Sequence, residues 1–266
     1  MGAQTIRDRL WLWGMKVNVL QESSGFGALQ LGRSAMTVED AIQRTGITNA
    51  VMAGALPLDE QTLAAMPSAR RIICKHALHA DALDYQGCLE KLMDAKRLAA
   101  QDPRVEAFLV DDFSTGSLDA GARPEHLARL QFENALHHPR LPLDGTIYTM
   151  SLERPELPPV LPYFDLLIVP LWHADHIDGV PASLSRLSGL SGGKPMIFCL
   201  YLYDFGNSRG IPRELMQRHL DLAESLLREK RVAGVLVCGT CLMDLDWEAN
   251  HCFYDWLERV GDDELA

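Results

Sequence analysis

The chain is 266 residues long, 47% hydrophobic and 23% charged, with a net charge of -11 from 25 basic and 36 acidic residues. That balance excludes a disordered, collagen-like or disulfide-stapled chain and suits one large domain or two small ones. No run of Lys and Arg offsets the acidity, so nucleic acid is not an expected partner, and a neutral or cationic small molecule fits better.

The first residues, Met1 to Arg9, are polar and mixed in charge, with no apolar core of about 7–15 residues to mark a signal peptide. Ile6 stands where myristoylation requires Ser or Thr. No apolar run approaches the roughly 20 residues that cross a bilayer. Six cysteines fall at positions 74, 88, 199, 238, 241 and 252, several of them inside apolar runs, as expected of reduced, buried thiols. These features place the protein in a cytoplasm, away from membranes.

Eight short apolar runs follow one another at about Leu10–Val17, Ile47–Ala53, Arg71–His76, Val105–Asp112, Gly145–Met150, Leu166–Trp172, Met196–Tyr203 and Ala233–Thr240. Most are apolar almost throughout, the pattern of strands covered on both faces. Between them lie helical patterns. Ala82–Ala100 repeats apolar positions at Leu89, Leu92 and Met93, and Pro124–Leu136 opens with Pro and Glu in its first turn. Pro212–Glu229 carries Leu215, Met216, Leu222, Ala223, Leu226 and Leu227 on one stripe. Asp246–Val260 closes the series with Trp247, Phe253, Trp256, Leu257 and Val260. Eight βα units without a polar linker predict an α/β fold, a single (β/α)8 TIM barrel over residues 1–266.

The rival architecture is a doubly wound open sheet, which would carry a Gly-rich turn after its first strand. The corresponding segment holds only Gly25-Phe26-Gly27, without a third glycine. Ser188–Pro195 looks superficially like a phosphate loop, but Ser188 replaces the first glycine and Pro195 follows Lys194 where Ser or Thr belongs. It reads as a loop feeding strand seven.

In a barrel, chemistry sits at the C-terminal ends of the strands. Those ends read Lys16 and Asn18, then Ala53-Gly54, then Lys75-His76 with His79 beyond, then Asp111-Asp112. They continue with Thr149 and Ser151, Trp172-His173 with Asp175-His176, Tyr201, Tyr203 and Asp204, and Cys238, Thr240 and Cys241. Polar and aromatic residues gather at one end of almost every strand. Asp111-Asp112 ends a buried strand abruptly, and strand alternation admits only one of the two into the mouth. The same alternation admits only one of Lys75 and His76. Cys199, Tyr201 and Tyr203 share a face that should point at the barrel axis. The Cys238-Gly-Thr-Cys241 spacing lacks the second pair that a zinc ribbon needs, so no metal or cofactor is expected.

These strand ends resemble those of (β/α)8 glycoside hydrolases and their non-catalytic relatives, in acids at strands four and seven or four and six and in Trp and Tyr at the rim. The resemblance covers the chain as architecture and implies a sugar-like substrate held by a carboxylate pair. Asp111 or Asp112 would take the strand-four role, with Asp204 or Asp175 as partner. Tyr203, Tyr201, Trp172, His173, His76, Lys75 and Asn18 would contact the substrate. The largest clan of such barrels uses Glu at both acid positions, and here the acids are Asp. The alternatives are a metal-dependent barrel isomerase or hydrolase built on Asp and His, and a non-catalytic small-molecule-binding barrel. A Schiff-base aldolase would need a mouth lysine, for which Lys16 and Lys75 are available.

Overall fold

A computed structural model of the chain describes residues 4–22, 31–53, 55–77 and 85–265. The Gly25-Phe26-Gly27 stretch, Gly54 and His79 lie outside them. Eight parallel strands close into a barrel: β1 (Leu10–Gly14), β2 (Asn49–Met52), β3 (Arg71–Ala77), β4 (Val105–Asp111), β5 (Leu143–Thr146), β6 (Leu166–Pro170), β7 (Met196–Tyr201) and β10 (Gly234–Cys238). β10 pairs with β1, Leu10 opposite Val235 and Trp13 opposite Cys238, and this register completes the ring. Two short strands after β7, β8 (Tyr203–Asp204) and β9 (Arg209–Gly210), form an antiparallel hairpin outside it.

The helices are α1 (Val19–Glu22), α2 (Val38–Thr45), α3 (Glu60–Ala64), α4 (Tyr85–Gln101), α5 (Pro124–Leu136), α6 (Val180–Ser191), α7 (Arg213–Arg228) and α8 (Glu248–Val260). Their starts follow local chemistry. Thr37 caps α2 in a reciprocal pair with Asp40, and Pro124 opens α5 where its missing N–H costs nothing. Gly46 ends α2 at φ 70°, a left-handed position that a Cβ would strain.

Alternation along the strands sorts the side chains into two layers. Leu10, Leu12, Cys74, Phe108, Val110, Phe198 and Leu200 point outward under the helices, and Trp256 and Phe253 of α8 are buried in the same layer. Burying each such large side chain contributes about 1.5–3 kcal/mol. Trp11, Trp13, Ile73, Leu109, Ile168, Ile197, Cys199, Tyr201, Leu236 and Cys238 fill the barrel interior. Gly145 lets the Phe164 ring lie against the β5 backbone, because a Cβ there would stand 2.7 Å from the ring.

The eight strands fall in the order read from the sequence, with several ends displaced, β6 at Pro170 and β10 at Cys238 among them. β1 stops at Gly14, not Val17. β5 covers 143–146, so Thr149 and Ser151 belong to a 3-10 turn beyond it. β7 stops at Tyr201, and Tyr203-Asp204 enter the hairpin.

Candidate active site

The C-terminal mouth of the barrel opens into a cavity of about 590 Å³. Its polar groups come from three adjacent strands and the residues just beyond them: Lys75 of β3, Asp111 and Asp112 of β4, and Thr146 and Tyr148 of β5. Trp13, Trp172, Tyr201 and Phe205 form an aromatic wall, and Cys199 and Cys238 lie between strands β7 and β10.

Both acids reach the cavity, although alternation along an ideal strand would send one away. Asp111 is the last residue of β4, and Asp112 turns into a left-handed conformation at φ 50° and ψ 28°. The strand repeat ends there, and the second carboxylate swings back to the side of the first. Asp is among the few residue types that accept this backbone without a large cost.

Asp111 is held at both oxygens. Lys75 Nζ lies 2.8 Å from Oδ2, and Thr146 Oγ1 donates to Oδ1 at 2.9 Å. The pair is largely withdrawn from water, with side chains 18% and 7% exposed. Burial works to lower the Lys75 pKa, but the charge and hydrogen bond of Asp111, helped by Asp112, outweigh it and leave the ammonium above its ordinary value. Lys75 is therefore a fixed cation.

Asp112 accepts a 2.7 Å hydrogen bond from the Tyr148 hydroxyl. Burial and the two nearby carboxylates push the Tyr148 pKa well up, so the phenol keeps its proton and stays a donor. Tyr201 is likewise raised by burial and by Tyr148, with which it shares a hydrogen bond. The Cys238 thiol is raised by its hydrogen bond to Cys199 and by burial, and Cys74 and Cys241 are pushed up to about 12, chiefly by burial. None of the six cysteines is in a disulfide.

The remaining sequence candidates divide. Lys75, Trp172 and Tyr201 line the cavity. His76 follows the parity of Cys74 and Val110 and so faces the helix layer. Asn18 braces a loop by accepting from the Ser34 backbone N–H at 2.8 Å. Tyr203 meets Phe205 edge to face and Trp247 at a tilt, one step behind the wall. His173 packs over Gly206 and beside His176.

The two expected partner acids do not join Asp111 and Asp112, and neither lines the cavity. The Asp204 side chain is fully buried and accepts from the Ala174 N–H, the Asn207 N–H and side-chain amide, and Arg209. Burial alone would raise its pKa, but these donors hold it below the ordinary value. Its role is to pin the hairpin to the loop after β6. Asp175 is half-exposed in that loop, near Asn207, Arg209 and His176. Tyr148 and Thr146 escaped the sequence reading because the fifth strand was placed two residues late.

Among the described residues no three His, Cys, Asp or Glu side chains converge as a metal site. No helix among them is long and apolar enough to cross a membrane.

No family model matches the sequence, and no curated protein matches it. Solved structures do match the fold. The catalytic domain of a hyperthermophilic chitinase from Pyrococcus furiosus superposes with a TM-score of 0.58 at 11% identity, over 97% of this chain and 98% of that one. A Rhizomucor miehei beta-1,3-glucanosyltransferase in complex with laminaritriose superposes at 0.56 and 14% identity, over 88% and 87%. A Bacteroides uniformis beta-glucuronidase superposes at 0.56 and 10% identity, but this chain covers only 28% of its length. The chain shares with these carbohydrate enzymes a closed eight-stranded (β/α) barrel.

Proposed function

We propose that this chain is a carbohydrate-active, glycoside-hydrolase-like barrel that takes a sugar ring into the mouth cavity and works on it with Asp111 and Asp112. The observation that carries the reading is the convergence of both β4 acids with an aromatic wall in one cavity. Apolar sugar faces lie flat on rings, and hydroxyls exchange hydrogen bonds with carboxylates, a lysine and phenols. The barrels named above, which handle chitin, beta-1,3-glucan and glucuronide substrates by their descriptions, support the sugar class.

The geometry gives the two acids unequal tasks. Asp111, neutralised on one side by Lys75 and fixed by Thr146, is a stationary anion suited to facing the positive charge that develops on the ring in an oxocarbenium-like transition state. Asp112, whose Oδ1 accepts from a phenol that keeps its proton, carries in its protonated form the hydrogen that passes to the leaving oxygen, and is a carboxylate once it has given it up. The glycosidic C–O bond breaks, the leaving oxygen takes the Asp112 proton, and water supplies the hydroxyl and returns its other proton to the Asp112 carboxylate. Asp204 and Asp175 take no part. Lys75 does not favour the imine reading, since its charge is held by Asp111. The working setting is a cytoplasm, and the whole of residues 1–266 is taken as one domain.

The test is a panel of aryl glycosides and chitin or beta-1,3-glucan oligosaccharides, with turnover and calorimetric binding measured side by side. Asp112→Asn should lower kcat by a factor on the order of 10² or more while sugar binding persists. Binding without turnover in the wild type would move the chain to the non-catalytic barrels. Neither binding nor turnover, or wild-type turnover in both Asp111→Asn and Asp112→Asn, would overturn the reading.

A further inference from the structure

A second cavity, of about 910 Å³, lies at the opposite end of the barrel, where β7 and β10 begin. Its walls come from α6 and the C-terminal end of α7, through Leu184 and Leu227 among others, and its rim carries Arg9, Lys194, Lys230 and Arg231. Among the described residues no acidic one lines it. In a chain with a net charge of -11, four cations around one acid-free cavity form a pronounced local reversal of sign.

The way these cations are held is equally informative. Arg9 Nη1 donates to the Ala233 carbonyl at 3.2 Å. Arg231 Nη2 donates to the Pro181 carbonyl at 2.8 Å and to Ser185 Oγ at 2.9 Å. Neutral oxygens thus fix both guanidinium groups in place without cancelling their charge. Elsewhere Arg71, Arg104 and Arg186 are each matched to a carboxylate within 3 Å. Among the described residues none of the four rim cations reaches a carboxylate within 4.0 Å. Lys194 arrives by way of Gly192 and Gly193, whose φ angles of 71° and 80° turn the chain at the end of α6. The Ser188–Pro195 stretch feeds strand seven, as its sequence suggests, and in doing so delivers a lysine to this rim.

We propose that this basal cavity is a binding site for a small polyanion carrying phosphate groups. Arginine forks fixed in advance match phosphate oxygens, and the two lysines, whose ammonium groups make no hydrogen bond among the described residues, complete the shell. A small anion meets only the cavity, whereas a long phosphate polymer would also meet the acidic remainder of the surface. The site is separate from the barrel mouth, so it stands or falls independently of the sugar reading.

The experiment is calorimetric titration of the full chain with inorganic tripolyphosphate and with pyrophosphate, at low and at raised salt. Saturable binding of one tripolyphosphate per chain, weakening with salt, is expected. Lys194→Gln combined with Lys230→Gln should weaken it at least ten-fold and leave the unliganded melting temperature unchanged, because neither ammonium donates a hydrogen bond among the described residues. Arg231→Gln should weaken it too, with some loss of stability from the vacated Pro181 and Ser185 contacts. The proposal is overturned if tripolyphosphate does not saturate the wild type at low salt, or binds the double variant equally well. It is also overturned if polyglutamate competes with equal affinity, which would make the cavity a generic acidic-peptide surface.

Discussion

Removing the ammonium from Lys75 with a substitution to Met would leave the Asp111 carboxylate, 7% exposed, with Thr146 as its remaining hydrogen-bond partner of those described above. At 2.8 Å the gross Coulomb attraction is about 6 kcal/mol for an effective dielectric constant of about 20. Desolvation of both groups takes back much of that. Breaking a buried pair costs about 3–5 kcal/mol, and this one borders a cavity, so about 2–3 kcal/mol is expected for Lys75→Met. For a chain of this size that is a fall in melting temperature of roughly 5–10 °C. Asp111→Asn should cost a similar amount by stranding the ammonium. The double variant strands neither charge, so it should lose less than the sum of the two, with a coupling energy of about 2 kcal/mol. Thermal or urea denaturation of the four proteins followed by circular dichroism measures the cycle. The pH dependence adds a second reading. The Lys75 pKa is raised in the folded state, so the contribution of the pair is fully present below the unfolded value near 10.5 and is lost as pH rises through the folded one. Additive single effects, with coupling below about 0.5 kcal/mol, would refute the claim that the two groups hold each other.

Three other outcomes follow from buried groups away from the mouth. Asp144, 2% exposed and with an Oδ1 that finds no partner, has a pKa raised well above the ordinary 3.8, first by burial and then by Asp165 and Glu106. Its contribution is therefore best below about pH 4 and erodes as pH rises, so Asp144→Asn should be more stable than wild type at pH 7 in urea denaturation, and the advantage should shrink in acid. His219, buried with Nε2 2.8 Å from the Ala174 carbonyl, is lowered from 6.5 mainly by burial. Stability should fall as pH drops below about 6.5, and His219→Gln should flatten that limb of the melting-temperature profile. Gly145→Ala would press a Cβ to within 2.7 Å of the Phe164 ring and should cost about 1–3 kcal/mol, read from the urea midpoint, whereas Gly189→Ala on α6, with open space around it, should not.

Much of this architecture was legible because buried parallel strands leave a plain mark. β6 and β10, Leu-Leu-Ile-Val-Pro and Gly-Val-Leu-Val-Cys, are apolar on both faces, since one face meets helices and the other meets the opposite side of the barrel. Strand limits were less legible where apolar residues continue past the last ladder bond. Ile147 and Tyr148 are as buried as a strand would make them, yet the chain turns at Thr149, and the shift concealed Thr146 and Tyr148. The site was legible at Asp111, Lys75, Trp172 and Tyr201, which sit where alternation puts them. It was obscure at Asp112 because a single left-handed residue breaks the rule of alternation, and composition does not announce that break. Asp204 was misassigned for the converse reason. An acid at a strand end serves equally well to gather backbone N–H groups, and the hairpin that asks for it has no sequence signature of its own.

On the sugar reading proposed above, the ionisable lining of the mouth cavity would also set a preference among sugars. Among the described residues Lys75 contributes one formal positive charge and Asp111 one negative charge, which cancel, and Asp112 adds a second negative charge whenever it has given up its proton. With Lys75 committed to Asp111, no spare cation among the described residues stands in the lining to greet an acidic sugar. A uronic acid would bring a further negative charge beside Asp111 and Asp112, whereas a neutral hexose or an amino sugar with a free ammonium would not. Glucosides should therefore outcompete glucuronides of the same aglycone in direct binding, despite the beta-glucuronidases among the barrels of like shape. Tighter binding of the glucuronide would refute this preference.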